Sequence, residues 1–144
     1  MIWITLVYIA FIFGNSATPA VYSSAESSWV TELLNRAMRT IGLTGLQFSE
    51  GFVRKAAHFT EYTGLGILLT LSLAKYECFS GRRRWRLIPV GFLIAGLDEG
   101  IQYFTPGRYC SIMDVLLDTC GVAFGVALLA LISYVRTRKE KLPL

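Results

Sequence analysis

Between Leu97 and Asp118 the chain reads LDEGIQYFTPGRYCSIMDVLLD, and its ionisable groups stand at the edges of two apolar runs. Four are carboxylates (Asp98, Glu99, Asp114 and Asp118), with Gln102 and Arg108 between them. Upstream, Arg54, His58, Glu61 and Tyr62 recur at spacings of three and four, which sets them near one helical face, with Lys55 beside them. These residue types support three chemistries. Arg54, Lys55 and Arg108 can hold a phosphate or carboxylate. His58, flanked by Glu61, can serve as general acid or base because its ordinary pKa is about 6.5, with Asp98 or Glu99 to orient it. His58 and Glu61 with carboxylates from facing helices also echo the ligand sets built inside helix bundles. A single histidine makes such a set oxygen-rich and points to Mg²⁺, Mn²⁺ or Ca²⁺.

Each residue also has a plainer reading. Asp114 can cap a helix with Ser111, Arg108 can pair with Asp114 or Glu99, and Arg54 and Lys55 can snorkel to headgroups. His58 can be a satisfied interhelical hydrogen-bonder and Tyr62 an interface aromatic. Six ionisable groups on three helices are harder to explain as packing, since glycine and alanine pack helices at lower cost. Charge at membrane depth costs about 2.5–3.5 kcal/mol per residue on insertion scales, and it usually faces a bundle interior or water.

The setting is a membrane. Of 144 residues, 53% are hydrophobic and 17% charged, and the mean hydropathy is +0.50. The net charge of +4 arises from arginines and lysines gathered at helix ends, where they act as topology signals, so no nucleic-acid partner is expected. Cys78, Cys110 and Cys120 are an odd set without metal-type spacing, which predicts no disulfide framework. The signatures Gly-x-Ser-x-Gly and His-Glu-x-x-His are absent from the sequence.

The pattern predicts an all-α, polytopic membrane protein of one domain, 1–144, with four transmembrane helices plus an extracytoplasmic amphipathic helix. The spans are expected at about 1–18, 52–76, 87–104 and 113–134, and the amphipathic helix at about 26–41. Met1 to Phe13 is almost wholly apolar, and Pro19 stops the helix that follows from it. A cleaved signal peptide competes with a retained helix there, but no lysine or arginine precedes the apolar run. Val30, Leu33, Leu34, Ala37, Met38 and Ile41 recur at helical spacing, with Ser23 and Glu26 as a capping box and Gly42 as the stop. Thr105-Pro106-Gly107-Arg108 reads as a tight turn. Asp114, Asp118, Gly121 and Gly125 share one face of the last span. Gly91, Ala95, Gly96 and Gly100 offer matching small faces on the span before it.

Nine of the fourteen basic residues fall in two places: Lys75 with Arg82–Arg86, and the tail Arg136, Arg138, Lys139 and Lys141. The positive-inside rule puts both in the cytoplasm and the N-terminus with them. The segment from Val21 to Gly51 and the Thr105–Ser111 turn then face outside. His58 and Glu61, Asp98, Glu99 and Gln102, and Asp114 and Asp118 all fall at the same outer level.

Three segments carry a family resemblance. K55-x-x-H58-F59-x-E61-Y62-x-x-L65-G66, then D98-E99-x-x-Q102-x-F104-x-P106-G107-R108, then S111-x-x-D114 with G121-x-x-x-G125 resemble the VanZ-like family over about Arg54 to Gly125. The resemblance implies a small bacterial membrane protein whose namesake accompanies glycopeptide-resistance clusters and confers low-level teicoplanin resistance. It implies a context and a set of positions, and no reaction. Joined with the residues, it gives a multi-pass protein of the bacterial cytoplasmic membrane with a pocket open to the outer leaflet. The residues expected to do chemistry are His58, Glu61, Asp98 and Glu99. Those expected to hold the ligand are Lys55, Tyr62, Gln102, Arg108 and Asp114. Membrane lipids and a lipid-linked or glycopeptide ligand are the expected partners. No cofactor is required, a divalent metal being the alternative, as is an envelope integrity protein whose polar layer locks the bundle.

Overall fold

The computed structural model describes residues 1–43, 45 and 47–140, with the side chains of residues 139 and 140 outside it. Lys141, and Lys139 as a side chain, therefore lie beyond the described part of the basic tail. Five helices carry the chain: α1 (Ile2–Ser16), α2 (Ala20–Thr40), α3 (Glu50–Leu73), α4 (Leu87–Phe104) and α5 (Ile112–Glu140). Two short 3₁₀ turns, Glu77–Phe79 and Gly81–Arg86, join α3 to α4, and no strand occurs among the described residues.

Each helix boundary has a local cause. Pro19 takes an extended backbone (φ −55°, ψ 146°) and starts α2 directly. The expected capping box at Ser23 and Glu26 is therefore not used; both residues sit inside the helix, which starts at Ala20 rather than about residue 26. Proline suits this boundary because a first-turn position needs no N–H partner within the helix. Gly42 ends α2 at φ +83°, and the Leu43 N–H reaches the Met38 carbonyl at 2.9 Å, closing the expected glycine stop. Ser49 caps α3, its hydroxyl accepting from the Phe52 N–H at 3.3 Å. In the α4–α5 turn the Arg108 N–H donates to the Thr105 carbonyl at 3.2 Å across Pro106 and Gly107, with Gly107 at φ +76°.

The core is the α3–α5 interface, flanked by α1 and α4. Tyr62, Leu65 and Leu69 meet Val115, Val122 and Val126, with Ile12, Leu87 and Ala95 closing the sides. The backbones approach closely. A Cβ at Gly121 would stand 2.7 Å from the Phe59 carbonyl oxygen, and one at Gly125 would overlap the Thr63 carbonyl. From the other side, a Cβ at Gly66 would meet the backbone of Val122. The glycine seam of α5 thus faces α3, not α4 as the sequence pattern suggested. On α4 only Gly91 is in close contact with α5, against the Val122 methyls, while a Cβ at Gly96 or Gly100 would have no neighbour within 4 Å. Without a hydrophobic drive between helices in lipid, this close fit is what associates them.

The outward surface is apolar: Trp3, Val7, Phe11, Leu93, Leu97, Leu131 and others are exposed. Gly81–Phe104 and Ile112–Arg138 are long and apolar enough to cross a membrane, and α1 with α2, bent by 102°, makes a third candidate. The 24-residue α3 is not among them, because Glu50, Arg54, Lys55, His58 and Glu61 crowd its first three turns. Its threonines stay satisfied within the helix, Thr63 and Thr70 donating to the carbonyls four residues back at 2.8 Å. Helix α2 buries no residue fully. Val30, Leu34 and Met38 line a groove against Phe52, Val53 and Ala56 of α3, whereas Leu33 and Ile41 point away and are exposed.

Candidate functional site

At one end of the bundle four helices, not three, meet in a polar layer. Its centre is a trio drawn from α3, α4 and α5: His58, Asp98 and Asp118 each offer a ligand atom within 4.8 Å of the others. His58 Nδ1 lies 3.8 Å from Asp118 Oδ1. Both aspartates are fully buried, and His58 is about a quarter exposed. Asp98 Oδ2 accepts from the Gln102 amide at 3.2 Å. Asp98 Oδ1, both Asp118 oxygens and the buried Tyr62 hydroxyl have no hydrogen-bond partner among the described residues. Such orphans are rare in folded interiors and ask for an explanation.

Around the trio the remaining site residues are tied to neighbours. Glu99, also buried, accepts from the Ser111 N–H at 2.8 Å and so fixes the start of α5. Ser111 thus uses its backbone on Glu99, and the Ser111–Asp114 link is a backbone one at 3.0 Å rather than a reciprocal side-chain cap. Asp114 stands 4.0 Å from the Lys55 ammonium, in a half-exposed pair. Glu61 accepts from Asn15 of α1 at 3.1 Å and lies outside the trio, so the proposed pairing of His58 with Glu61 as metal ligands gives way to His58 with Asp118. Tyr62 is a fully buried core residue, not a pocket wall.

Arg108 departs most from expectation. It pairs with neither Asp114 nor Glu99; its Nε donates to the Thr18 carbonyl and its Nη2 to the Asn15 carbonyl, both at 2.9 Å. The Asn15 carbonyl belongs to the last turn of α1, where the helix carries partial negative charge, and the Thr18 carbonyl to the corner just after it. Partial burial lowers the pKa of this turn arginine from its ordinary value, while Asp98 opposes the shift; the guanidinium stays charged. Three further bonds complete the clasp between the α1–α2 corner and the α4–α5 turn. The Ala20 N–H reaches the Pro106 carbonyl at 3.2 Å, the Thr105 hydroxyl reaches the Ser16 carbonyl at 3.1 Å, and Gln102 reaches the Ser16 hydroxyl at 3.2 Å.

Above the trio and under the first turns of α2 lies a cavity of about 190 Å³. Arg54, Lys55, His58, Glu99, Arg108 and Asp114 line it, with Ser23 and Ser24 of α2 as its roof. A second hollow of about 480 Å³ shares Arg54, His58 and Arg108 and opens between α1 and α2. Arg54 forms no salt bridge among the described residues, so its charge faces these hollows uncompensated. Of the residues singled out from the sequence, Lys55, His58, Glu99, Gln102, Arg108 and Asp114 line the cavity, Asp98 and Tyr62 are buried outside its wall, and Glu61 faces the second hollow and the α2–α3 groove. What sequence reasoning missed is α1. Asn15 and Ser16, a polar pair closing an otherwise apolar run at the same level, were the available signal.

An all-α bundle with exposed apolar helix faces, two to three candidate spans and a largely buried histidine–carboxylate layer has the make-up of a membrane protein. Its sequence matches the family model described as VanZ/LLP1 over residues 1–133, and the chain belongs to that family. The match takes in α1 and α2 as well as the three motif-bearing helices. Comparison with curated proteins and with solved structures yields no match.

Proposed function

We propose that this VanZ-family protein holds the anionic head of a lipid-linked envelope molecule in the cavity beneath α2, from the outer leaflet of the bacterial cytoplasmic membrane. The observation that carries the reading is the cavity's wall: Arg54 and Lys55 from one turn of α3 beside His58, in a space with ample room for a phosphate group. A phosphate there gains charge-assisted hydrogen bonds. His58 is the group placed to exchange a proton with a bound head, should turnover accompany binding. On this reading α1, α3, α4 and α5 all span the membrane as one domain, both termini are cytoplasmic, and α2 lies outside. Teicoplanin tolerance, attached to the family through its namesake, is the cellular phenotype to follow.

The test uses a polyprenyl phosphate as probe, with the neutral polyprenol as control, against the full chain in detergent. The phosphate should bind and the alcohol should not. Arg54→Gln and Lys55→Gln should each weaken binding by about tenfold, the loss of one charge-assisted bond. Equal binding of phosphate and alcohol defeats the reading.

A second reading, a layer that only locks the bundle, is favoured by one observation: Arg108, Glu99 and Glu61 all bond to neighbouring elements. Arg108→Lys separates the two, since lysine keeps the charge but loses the planar fork whose Nε and Nη2 reach two separate carbonyls. Loss of folded protein with phosphate binding unaltered in what remains supports the locking role.

Native cysteines test the orientation. Cys78 lies in the basic α3–α4 connection and Cys110 in the α4–α5 turn, and both are exposed. Variants that keep only one of them should label from opposite sides of intact cells, Cys110 from outside. Labelling of both from one face refutes the proposed topology.

A further inference from the structure

We propose that His58, Asp98 and Asp118 form a binding site for one divalent first-row cation of the Mn²⁺ or Zn²⁺ kind. The inference goes beyond the anion-holding reading and does not depend on it, because Asp98 and Asp118 lie below the cavity and not in its wall.

The first support is geometric. Three ligand atoms from three different helices stand within 4.8 Å of one another, and His58 Nδ1 and Asp118 Oδ1 are 3.8 Å apart. A cation bound at about 2.0–2.2 Å to each ligand sets neighbouring ligand atoms about 3.0–3.6 Å apart, so the His58–Asp118 pair closes by a few tenths of an ångström and a pair at the 4.8 Å limit by about 1 Å. Helices held by a glycine seam place the ligands without a flexible loop, as bundle metal sites do.

The second support is independent of the spacing. Both aspartates are fully buried, and neither has an arginine or lysine salt-bridge partner among the described residues. Asp98 Oδ1 and both Asp118 oxygens have no hydrogen-bond donor, and the Tyr62 hydroxyl beside them has no acceptor. Burying carboxylate oxygens in this state is costly, and proteins meet that cost by pairing the charge or by coordinating metal. His58 is the only cationic group within the trio, Arg108 being bonded to the carbonyls of Thr18 and Asn15, and a single proton on it leaves two carboxylates half compensated. A divalent cation balances them and gives the orphaned carboxylates a partner.

The donor set selects the cation. Mg²⁺ and Ca²⁺ prefer all-oxygen shells, whereas one imidazole with carboxylates suits the borderline first-row ions. Asp118 in place of Glu61 leaves the donor chemistry expected from the sequence unchanged, and the imidazole selects Mn²⁺ from the ions that reading offered. His58 also lines the cavity above, which gives the ion a route in and water or an anion a route to its open positions.

The experiment titrates Mn²⁺ alone into chelator-treated full-length protein in detergent. One Mn²⁺ per chain should bind saturably and be displaced by Zn²⁺, which stands higher in the affinity order. Asp98→Asn and Asp118→Asn should each weaken binding by about tenfold or more, as ligand-shell losses do. Glu26→Gln and Glu32→Gln, on exposed α2, should leave it unchanged. The chain has a single histidine. Protein labelled with ¹⁵N in histidine should therefore show a nitrogen hyperfine coupling to bound Mn²⁺ in pulsed electron paramagnetic resonance, and only His58 can produce it. That measurement on the parent stands even where an aspartate variant fails to accumulate. No saturable binding, binding equal in the aspartate variants, or bound Mn²⁺ without the ¹⁵N coupling each overturns the site. Loss of polyprenyl phosphate binding with Mn²⁺ binding intact removes the pocket reading and leaves this one standing.

Discussion

Gly125→Leu should leave almost no folded protein in the membrane, whereas Gly100→Leu should accumulate like the parent. Both positions are glycines in apolar helices, so propensity alone treats them alike. Their surroundings do not. A Cβ at Gly125 overlaps the Thr63 carbonyl and comes 3.0 Å from the Ile67 amide, both of them backbone atoms that no rotamer change can move. A Cβ at Gly100 meets nothing within 4 Å. Overpacking a side-chain core costs about 1–3 kcal/mol, and here the whole of α3 must retreat from α5 instead. Retreat also separates His58 from Asp118, since those helices carry them. Quantifying folded protein by size-exclusion chromatography in detergent checks the pair; similar yields for both variants would show that the seam does not hold the bundle.

The second large effect has the opposite sign. In chelator-treated protein, Asp118→Asn should be more stable than the parent by about 1–3 kcal/mol, read as a higher melting temperature in detergent. The asparagine keeps the shape, removes a buried charge without a donor, and brings an amide donor into the neighbourhood of the Asp98 carboxylate. Asp114→Asn is the control: its side chain is 38% exposed and 4.0 Å from Lys55, so its change should stay within about half a kcal/mol. A stability optimum displaced from the natural sequence at one buried carboxylate is the mark of a residue kept for work and not for folding. A lower melting temperature for Asp118→Asn under chelation would mean that the carboxylate is already satisfied in the folded chain.

The layer was legible in the sequence because charge in an apolar helix stands out against its neighbours. Positive-inside counting then placed three charged stretches at one level. Depth can be read from a linear pattern; partners cannot. Arg108 has two carboxylates close in sequence, Glu99 and Asp114, and pairing with them is the natural guess. Its actual acceptors are carbonyls of the last turn of α1 and of the corner after it, 93 and 90 residues away, which carry no signature because every residue has one. The small-residue seam fails for a related reason. Gly121 and Gly125 announce a close approach, but α3 and α4 both offer glycines, and only the three-dimensional crossing selects Gly66 over Gly100. The start of α2 was misplaced because a serine–glutamate spacing looked like a cap, when Pro19 had already fixed the helical entry four residues earlier.

The clasp at the polar end of the bundle also sets an order of assembly. Its bonds link Asn15, Ser16 and Thr18 to Gln102, Thr105 and Arg108, across sequence separations of 86 to 93 residues. A chain emerging from the ribosome makes α1 first and these partners only after α3 and α4. Until residue 108 has left the exit tunnel, the end carbonyls of α1 have no guanidinium to accept from, and Ser16 no glutamine. Contacts so far apart in sequence are slow to form, because loop closure must precede them. The bend between α1 and α2 therefore stays unclasped until the α4–α5 turn has been made. An N-terminal fragment that stops before α4 would lack every one of these bonds, leaving a hinge exposed to membrane proteases.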